Sequence, residues 1–407
     1  MSNAEFPIRL SERMSLLPDY MFEQINTMRQ EKRRAGKDLI DMSMGNPRDP
    51  TPKMIVDKMA EAVQDPRNHR YSVATGIHNL RNEVCKYYQA RYDLAFSPED
   101  VVCTIGSKEG FSHLCLALIG PGDTALVPAP AYPIHAYSVV LAGGKSIGLN
   151  VRDEEQFLRD LVRRCENDSP RPKVLFLNYP HNPTGKCVEL AFYEQVVDIA
   201  RRFNLIVVHD FAYGRITFDG LVHPSFLQAK GAREVGCEFG TLSKAYNMAG
   251  WRIGYALGNR KIIAALNRIK GYYDYGIFQA VQIAGIVALR HGEQEIEKQV
   301  RIYQKRRDLV VAGLRQAGWE VEVPQAGMFV WVKIPEMYAS EGSYDFAMRL
   351  MDEAGVVVSP GIGFGPEGEG YIRMALVENE KRLRQAMRGL RHHFPVPDAS
   401  QRAAANS

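Results

Sequence analysis

The sequence predicts an α/β protein with a mostly parallel sheet, and three observations lead there. Helical patterns alternate with short β-branched runs through the middle of the chain, the arrangement that builds parallel strands covered by helices. Several of these runs are apolar throughout rather than alternating, as strands buried on both faces are. With 407 residues, 45% apolar and 24% charged, the chain is long enough for two lobes around a large core and lacks the bias of disorder.

In chain order, strands are expected from Asp100 to Thr104, Thr124 to Pro128, Val174 to Leu177, Leu205 to His209 and Cys237 to Thr241, each closed by a polar or glycine-bearing turn. From Gln279 to about Gly313 the pattern becomes helical, interrupted by Gly285 and Gly292, and reads as a bridge between lobes. Beyond it, Trp319 to Val323, Phe329 to Ile334, Val356 to Ser359 and Tyr371 to Ala375 read as strands around a helix from Tyr344 to Ala354, an α+β pattern. The expected organisation is an N-terminal arm at 1–48 that also joins the smaller domain, a large domain at 49–290, a small α+β domain at 291–395 and a tail at 396–407. The stretch from Asp398 to Ser407 is polar and alanine-rich, as a frayed tail is.

Charge and cysteine usage exclude several function classes. The 51 basic and 47 acidic side chains leave a net +4, too even to predict a nucleic-acid partner. The basic run Arg29, Lys32, Arg33, Arg34 and Lys37 is interrupted by Glu31 and reads as a solvated helix face. Six cysteines are scattered without C-x-x-C spacing or a Cys/His cluster, so neither a disulfide framework nor a metal is expected. Met1 to Glu12 lacks a signal-peptide core, and no run approaches the ~20 apolar residues that span a bilayer. A cytoplasmic protein without membrane contact is expected.

The chemistry is carried by residues placed just after the predicted strands. In Thr241-Leu242-Ser243-Lys244, a lysine follows hydroxyl residues and precedes Arg252 by eight positions. Burial penalises an ammonium there, so the pKa falls and a neutral amine becomes available to attack an aldehyde. Asp210 closes an apolar strand, where a carboxylate is costly unless paired; beneath a pyridine ring it would hold the ring nitrogen protonated. Tyr213, three residues on, can hydrogen-bond a phenolic oxygen. An N-capping aspartate beside a packed tyrosine explains the same pair.

Asn182 sits in the turn Asn178-Tyr179-Pro180-His181-Asn182-Pro183-Thr184-Gly185, at the strand end where an α/β sheet places ligands. Gly106-Ser107-Lys108 opens a helix whose N–H groups can hold a phosphate, although many helix starts look alike. Thr241, Ser243 and Arg252 can add phosphate contacts. Tyr132 follows another strand and can stack on a ring or pack in the core. Arg373 lies on an apolar strand; a bidentate grip on an α-carboxylate accounts for it, and so does a structural salt bridge.

The order of Tyr71, Gly106-Ser107-Lys108, Tyr132, Asn182-Pro183-Thr184-Gly185, Asp210/Tyr213, Lys244, Arg252 and Arg373 resembles the class I/II aminotransferases of fold type I, over about residues 15 to 390. The resemblance implies a large domain that binds pyridoxal 5'-phosphate, with Lys244 as its Schiff-base lysine. It implies that Asp210 pairs with the pyridinium and that Tyr213 and Asn182 bind the phenolic oxygen. Ser107, Lys108, Thr241, Ser243 and Arg252 become phosphate contacts, and Arg373 binds the substrate α-carboxylate. It also implies a homodimer in which Tyr71 reaches the neighbouring subunit's cofactor. Thr241 stands where the family usually has serine or glycine, which keeps a hydroxyl. Gly45, Asn182 and Tyr20 are further expected substrate contacts, with Tyr20, Tyr273 and Tyr275 as candidates for side-chain selection.

Ser43-Met44-Gly45-Asn46-Pro47, Gly106-Ser107-Lys108-Glu109-Gly110, Tyr132-Pro133-Ile134-His135 and Tyr273-Asp274-Tyr275-Gly276 are similar to the bacterial glutamate-pyruvate (alanine) branch. The implied reaction is ping-pong transfer of an amino group between an L-amino acid and a 2-oxo acid. LL-diaminopimelate, aspartate, methionine and aromatic aminotransferases share the cofactor machinery. No arginine occurs from Gly271 to Gln282, where one aspartate-specific subgroup carries a second carboxylate-binding arginine. A lyase on the same scaffold is a further alternative. A cofactor-binding transcription regulator would need a DNA-reading domain, for which the segment before Met44 has no room.

Overall fold

In the computed structural model, which describes residues 8–397, the apolar runs pair into one seven-stranded sheet. Its strands are β1 (Val101–Thr104), β2 (Thr124–Ala129), β3 (Lys145–Asn150), β4 (Pro172–Leu177), β5 (Ile206–Asp210), β6 (Gly236–Thr241) and β7 (Gly254–Gly258). The spatial order is β1-β7-β6-β5-β4-β2-β3, with β7 antiparallel to both its neighbours and the remaining pairs parallel. The five expected strands form. The sequence reading missed β3, which is half exposed at the sheet edge, and β7, which starts and ends on glycine and so carries little strand propensity.

Both faces of the sheet are covered, which is why its strands are apolar throughout. Val102, Val174, Val208 and Phe239 belong to one core cluster, and Leu126, Leu175, Leu177 and Val207 to the other. Each such side chain removed from water contributes about 1.5–3 kcal/mol. Because six strands run the same way, the ends at Thr104, Ala129, Leu177, Asp210 and Thr241 lie on one side of the sheet, and the loops that leave them share it.

A three-stranded antiparallel sheet holds β8 (Phe329–Lys333), β9 (Ser359–Pro360) and β10 (Tyr371–Ala375), in the order β9-β10-β8. Ile40–Asp41 pairs separately, in parallel, with Val356–Val357. The expected strand from Val356 to Ser359 is therefore split between two sheets. The expected strand from Trp319 to Val323 does not form: its alternation reflects Trp319, buried with its indole N–H on the Phe394 carbonyl, rather than a partner strand.

Helices position the pieces. The basic run lies largely on α1 (Met21–Arg34), where Arg29 pairs with Asp41 and Lys32 with Asp352. The Gly106-Ser107 turn opens α2 (Gly106–Leu118), packed against α3 (Arg260–Tyr273). The helical stretch divides at Gly292 into α4 (Gln279–His291) and α5 (Glu293–Gln316). Gly285, expected as an interruption, lies inside α4; a Cβ there would stand 2.5 Å from Ile253 Cδ1, so the glycine serves close packing against the lysine segment. From α5, Arg306 grips Asp49 through both Nη atoms at 2.7 and 2.8 Å. Gln299 donates to Asp49 and accepts from Asn247, so this helix ties the loop after Gly45 to the loop after Lys244. The expected tail from Asp398 and the first residues Met1 to Ala4 lie outside the described residues. Among the described residues no helix is long and apolar enough to cross a membrane.

Candidate active site

The loops leaving β1, β2, β4, β5 and β6 meet Gly45 and Arg373 around a cavity of about 340 Å³. Of the residues expected at the site, the cavity lacks Tyr71, which is 91% exposed with its ring centroid 5.5 Å from that of Tyr275, and the two side-chain-selection candidates Tyr273 and Tyr275, which are also exposed on the surface. Lys244 donates to the Gly45 carbonyl at 2.7 Å. Burial, with the charges of Arg373 and Arg252, lowers its pKa to about 8, leaving a sizeable fraction of neutral amine near neutral pH.

Asp210 is buried at the end of β5. Its Oδ2 lies 3.1 Å from His135 Nε2, whereas Oδ1 has no partner in the protein. Asn178 donates to the Asp210 carbonyl at 2.8 Å and accepts the Asn182 N–H at 3.0 Å, so one amide locks the Asn182 turn to the strand that carries the aspartate. His135 and His181 are the residues the sequence reading passed over. His135 was visible in its motif, but only the fold brings it under Asp210. His181 is buried with Nε2 unpartnered and Nδ1 beside Thr184 Oγ1; burial and the nearby His135 push its pKa down to about 3.

Arg373 is 4% exposed. Its Nη1 donates to Asn182 Oδ1 at 2.9 Å and its Nη2 to the Ser43 carbonyl at 2.8 Å, while Nε has no partner. Phe329 and Phe364 lie against the guanidinium, 4.0 and 4.6 Å from their ring centroids. Among the described residues no carboxylate pairs with it, which removes the salt-bridge alternative. Burial pushes its pKa down to about 10, partly offset by Tyr213, Tyr132 and Tyr20.

Gly106 adopts φ +72°, and a Cβ there would come 2.6 Å from Arg252 Nη2. Gly254 on β7 is equally confined, 3.0 Å from the Ser107 nitrogen. Thr241 Oγ1 donates to Ser243 Oγ at 2.9 Å, and Arg252 reaches the Ile105 carbonyl at 3.3 Å. Backbone N–H groups, two hydroxyls and a guanidinium thus gather at the start of α2, a combination that can hold a dianion. Lys108 points elsewhere, its ammonium 5.4 Å from the Tyr20 ring and 6.0 Å from Tyr132, and the hydroxyls of those two tyrosines pair. Burial raises the Tyr213 and Tyr132 phenols, keeping both protonated as donors.

Comparison with known proteins supplies an independent finding. The family model described as aminotransferase class I and II matches residues 37–406. The glutamate-pyruvate aminotransferase AlaC of Escherichia coli K12 is 48% identical over 389 residues, 95% of this chain and 94% of that one. An LL-diaminopimelate aminotransferase of Halothermothrix orenii is 44% identical, covering 94% and 98%. Among solved structures, substrate-bound BacF from Bacillus subtilis superposes with a TM-score of 0.89 at 34% identity, covering 95% and 98%.

Proposed function

The chain belongs to the class I and II aminotransferases and is a pyridoxal 5'-phosphate enzyme; on that premise we propose that it moves the amino group between L-alanine and 2-oxoglutarate, yielding pyruvate and L-glutamate. The observation that carries this choice of substrates is the end-to-end identity with the E. coli glutamate-pyruvate enzyme. The LL-diaminopimelate enzymes are nearly as similar and supply the competing reading.

The residues present fit the cofactor. A protonated ring nitrogen needs an acceptor away from water, and Asp210 Oδ1 is buried and unpartnered. A phosphate needs donors close to backbone, and Gly106 and Gly254 leave room for them only because they lack Cβ. An aldehyde needs a neutral amine, and Lys244 has one at its pKa of about 8.

When bound, pyridoxal 5'-phosphate supplies a sink for the electron pair left as the substrate Cα–H bond breaks. Around it, Lys244 takes the Cα proton and returns it on the cofactor side, a role that suits a buried amine whose pKa burial has lowered. Asp210, backed by His135, holds the proton on the ring nitrogen. Tyr213 and the Asn182 amide donate to the phenolic oxygen. Ser107, Thr241, Ser243, Arg252 and the start of α2 hold the phosphate, with Lys108 adding charge from the tyrosine side. Arg373 grips the substrate α-carboxylate, with Gly45 and Tyr20 bounding the same space. Tyr132, which lines the same cavity, would stack on the ring of the bound cofactor.

The protein acts as a homodimer on this reading. Tyr71, Tyr272, Tyr273, Tyr275 and Phe278 are aromatic and exposed, an unusual surface for a monomer and a suitable one for a second copy. The six free cysteines suit the reducing cytoplasm. A panel of amino donors offered with pyruvate and 2-oxoglutarate tests the substrates: alanine with 2-oxoglutarate should give the highest kcat/KM. A preference for LL-diaminopimelate would replace the alanine reading. Borohydride reduction followed by peptide mass spectrometry should tag Lys244, and a Lys244→Ala enzyme with normal turnover would refute the assigned base.

A further inference from the structure

Behind the Gly106-Ser107 turn, outside the cavity, a buried ionic cluster joins α2 to α3. The Lys270 side chain is fully buried, and its Nζ donates to both oxygens of Glu109 at 3.1 and 3.3 Å and to Asp274 Oδ2 at 2.8 Å. His113 Nδ1 lies 2.5 Å from Glu109 Oε1. Glu109, His113 and Asp274 converge closely enough to hold a metal ion, but the Lys270 ammonium already supplies the positive charge among them.

Glu109 does something specific. Four residues into the chain from Ile105, it folds back so that Oε2 accepts the Ile105 N–H at 2.6 Å, pinning the residue that caps α2. The Ile105 carbonyl in turn receives Arg252. The turn that offers its N–H groups to an anion is thus held by a carboxylate, which by itself would repel that anion. Burial raises this carboxyl, but the close His113 imidazole and the Lys270 charge outweigh it and hold it well below the usual carboxylate range. The carboxylate therefore stays ionised, and its charge must be cancelled locally.

We infer that Lys270 is a positioning residue for the cofactor's phosphate: it neutralises Glu109, which fixes the phosphate-binding turn, so that the turn keeps both its shape and its attraction for a dianion. This rests on the assignment of the phosphate to the Ser107 turn. Asp274, the other carboxylate on Lys270, accepts the Gly276 N–H at 2.8 Å, so the same ammonium also anchors the turn that carries exposed Tyr275.

The test titrates full-length apoenzyme with pyridoxal 5'-phosphate and with pyridoxal, which lacks the phosphate, following tryptophan fluorescence. Lys270→Met should weaken pyridoxal 5'-phosphate binding by roughly tenfold or more, as an unscreened charge in a poorly solvated place does, with pyridoxal binding unchanged. Adding Glu109→Gln to Lys270→Met should restore most of the loss, because it removes one of the two carboxylates that Lys270 faces and returns the cluster to its wild-type net charge. Equal weakening of both ligands, no weakening of the phosphorylated one, or no recovery in the double variant would overturn the inference. If Lys270→Met does not fold, Lys270→Gln, uncharged but still a donor, is read by the same criteria. Ser107→Ala separates the two levels: if it weakens both ligands equally, the phosphate assignment itself fails.

Discussion

Arg373 and Asn182 meet in the cavity, guanidinium Nη1 to amide Oδ1 at 2.9 Å, although 191 positions separate them in the chain. The bond settles the amide's orientation: its oxygen is engaged, so its NH₂ is the end left to donate. It also leaves the guanidinium charge uncancelled among the described residues, since its other partners are the Ser43 carbonyl and the Ser359 hydroxyl. A buried cation in that state is stabilised by an anionic ligand.

Arg373→Lys should therefore behave as a severe change. A lysine cannot serve Asn182, Ser43 and a carboxylate in one plane, so kcat/KM for amino acid and 2-oxo acid should both fall by roughly a hundredfold. Cofactor content should stay near that of the wild type. Steady-state kinetics with absorbance of the bound cofactor checks both statements.

Lys244 contributes against stability in the cofactor-free protein. Burial lowers its pKa from 10.5 to about 8, so between these values the unfolded chain binds more protons than the folded one, and stability rises with pH across that window. Below about pH 8 the full penalty applies. The Lys244→Met apoenzyme should therefore be more stable than wild type at neutral pH, by ~1–3 kcal/mol or a few degrees in Tm. The advantage should shrink as pH climbs from 8 towards 10.5. Thermal melts of cofactor-free protein along a pH series provide the measurement.

Asp210→Ala removes the buried, unpartnered carboxylate oxygen proposed to face the ring nitrogen. Its kcat should fall by at least about a hundredfold, and the cofactor should dissociate faster. His135→Phe, which leaves Asp210 in place but unsupported, should cost roughly tenfold. An equal loss in both variants would show that His135 does more than orient the carboxylate.

Gly106→Ala forces a Cβ into a left-handed backbone and against Arg252. The conformational strain alone is about 1–2 kcal/mol, and the turn must move to relieve the contact. Weaker retention of pyridoxal 5'-phosphate on dialysis is expected, with the overall fold intact by circular dichroism.

Tyr71→Ala should leave the monomer's fold unaltered, because that side chain is almost wholly exposed. Cofactor affinity should nevertheless drop by about tenfold, the loss of one hydrogen bond to a charged group. Sedimentation of the wild type should give twice the chain mass. A wild-type monomer that holds cofactor as tightly as Tyr71→Ala does would contradict the shared site.

Much of the parallel sheet and the reactive segments could be read in the chain because their signals are local. Val174–Leu177 and Leu205–His209 are apolar whatever they pair with, and the Lys244 segment, only suggestive alone, gains its meaning from the short motifs around Asp210/Tyr213, Asn182 and Arg373. Two strands escaped because their pairing is non-local: β7 is made a strand by β1 and β6 on either side, not by its own glycine-bounded sequence. Trp319 to Val323 failed in the opposite direction, for alternation without a neighbouring edge forms no ladder.

The same division runs through the site. The sequence by itself determined which chemical groups the protein owns and that most follow strand ends, since backbone direction brings such loops to one side of a parallel sheet. Only the tertiary structure decided which of those groups are already engaged. Asp210 keeps one oxygen free because His135 takes the other, Arg373 stays uncancelled because no acid among the described residues reaches it, and Lys270 is buried because Glu109 and Asp274 come to it. Charge compensation depends on distance in space, and a distance of a few ångströms between residues up to 161 positions apart, as for Lys270 and Glu109, is written in no local stretch of the chain.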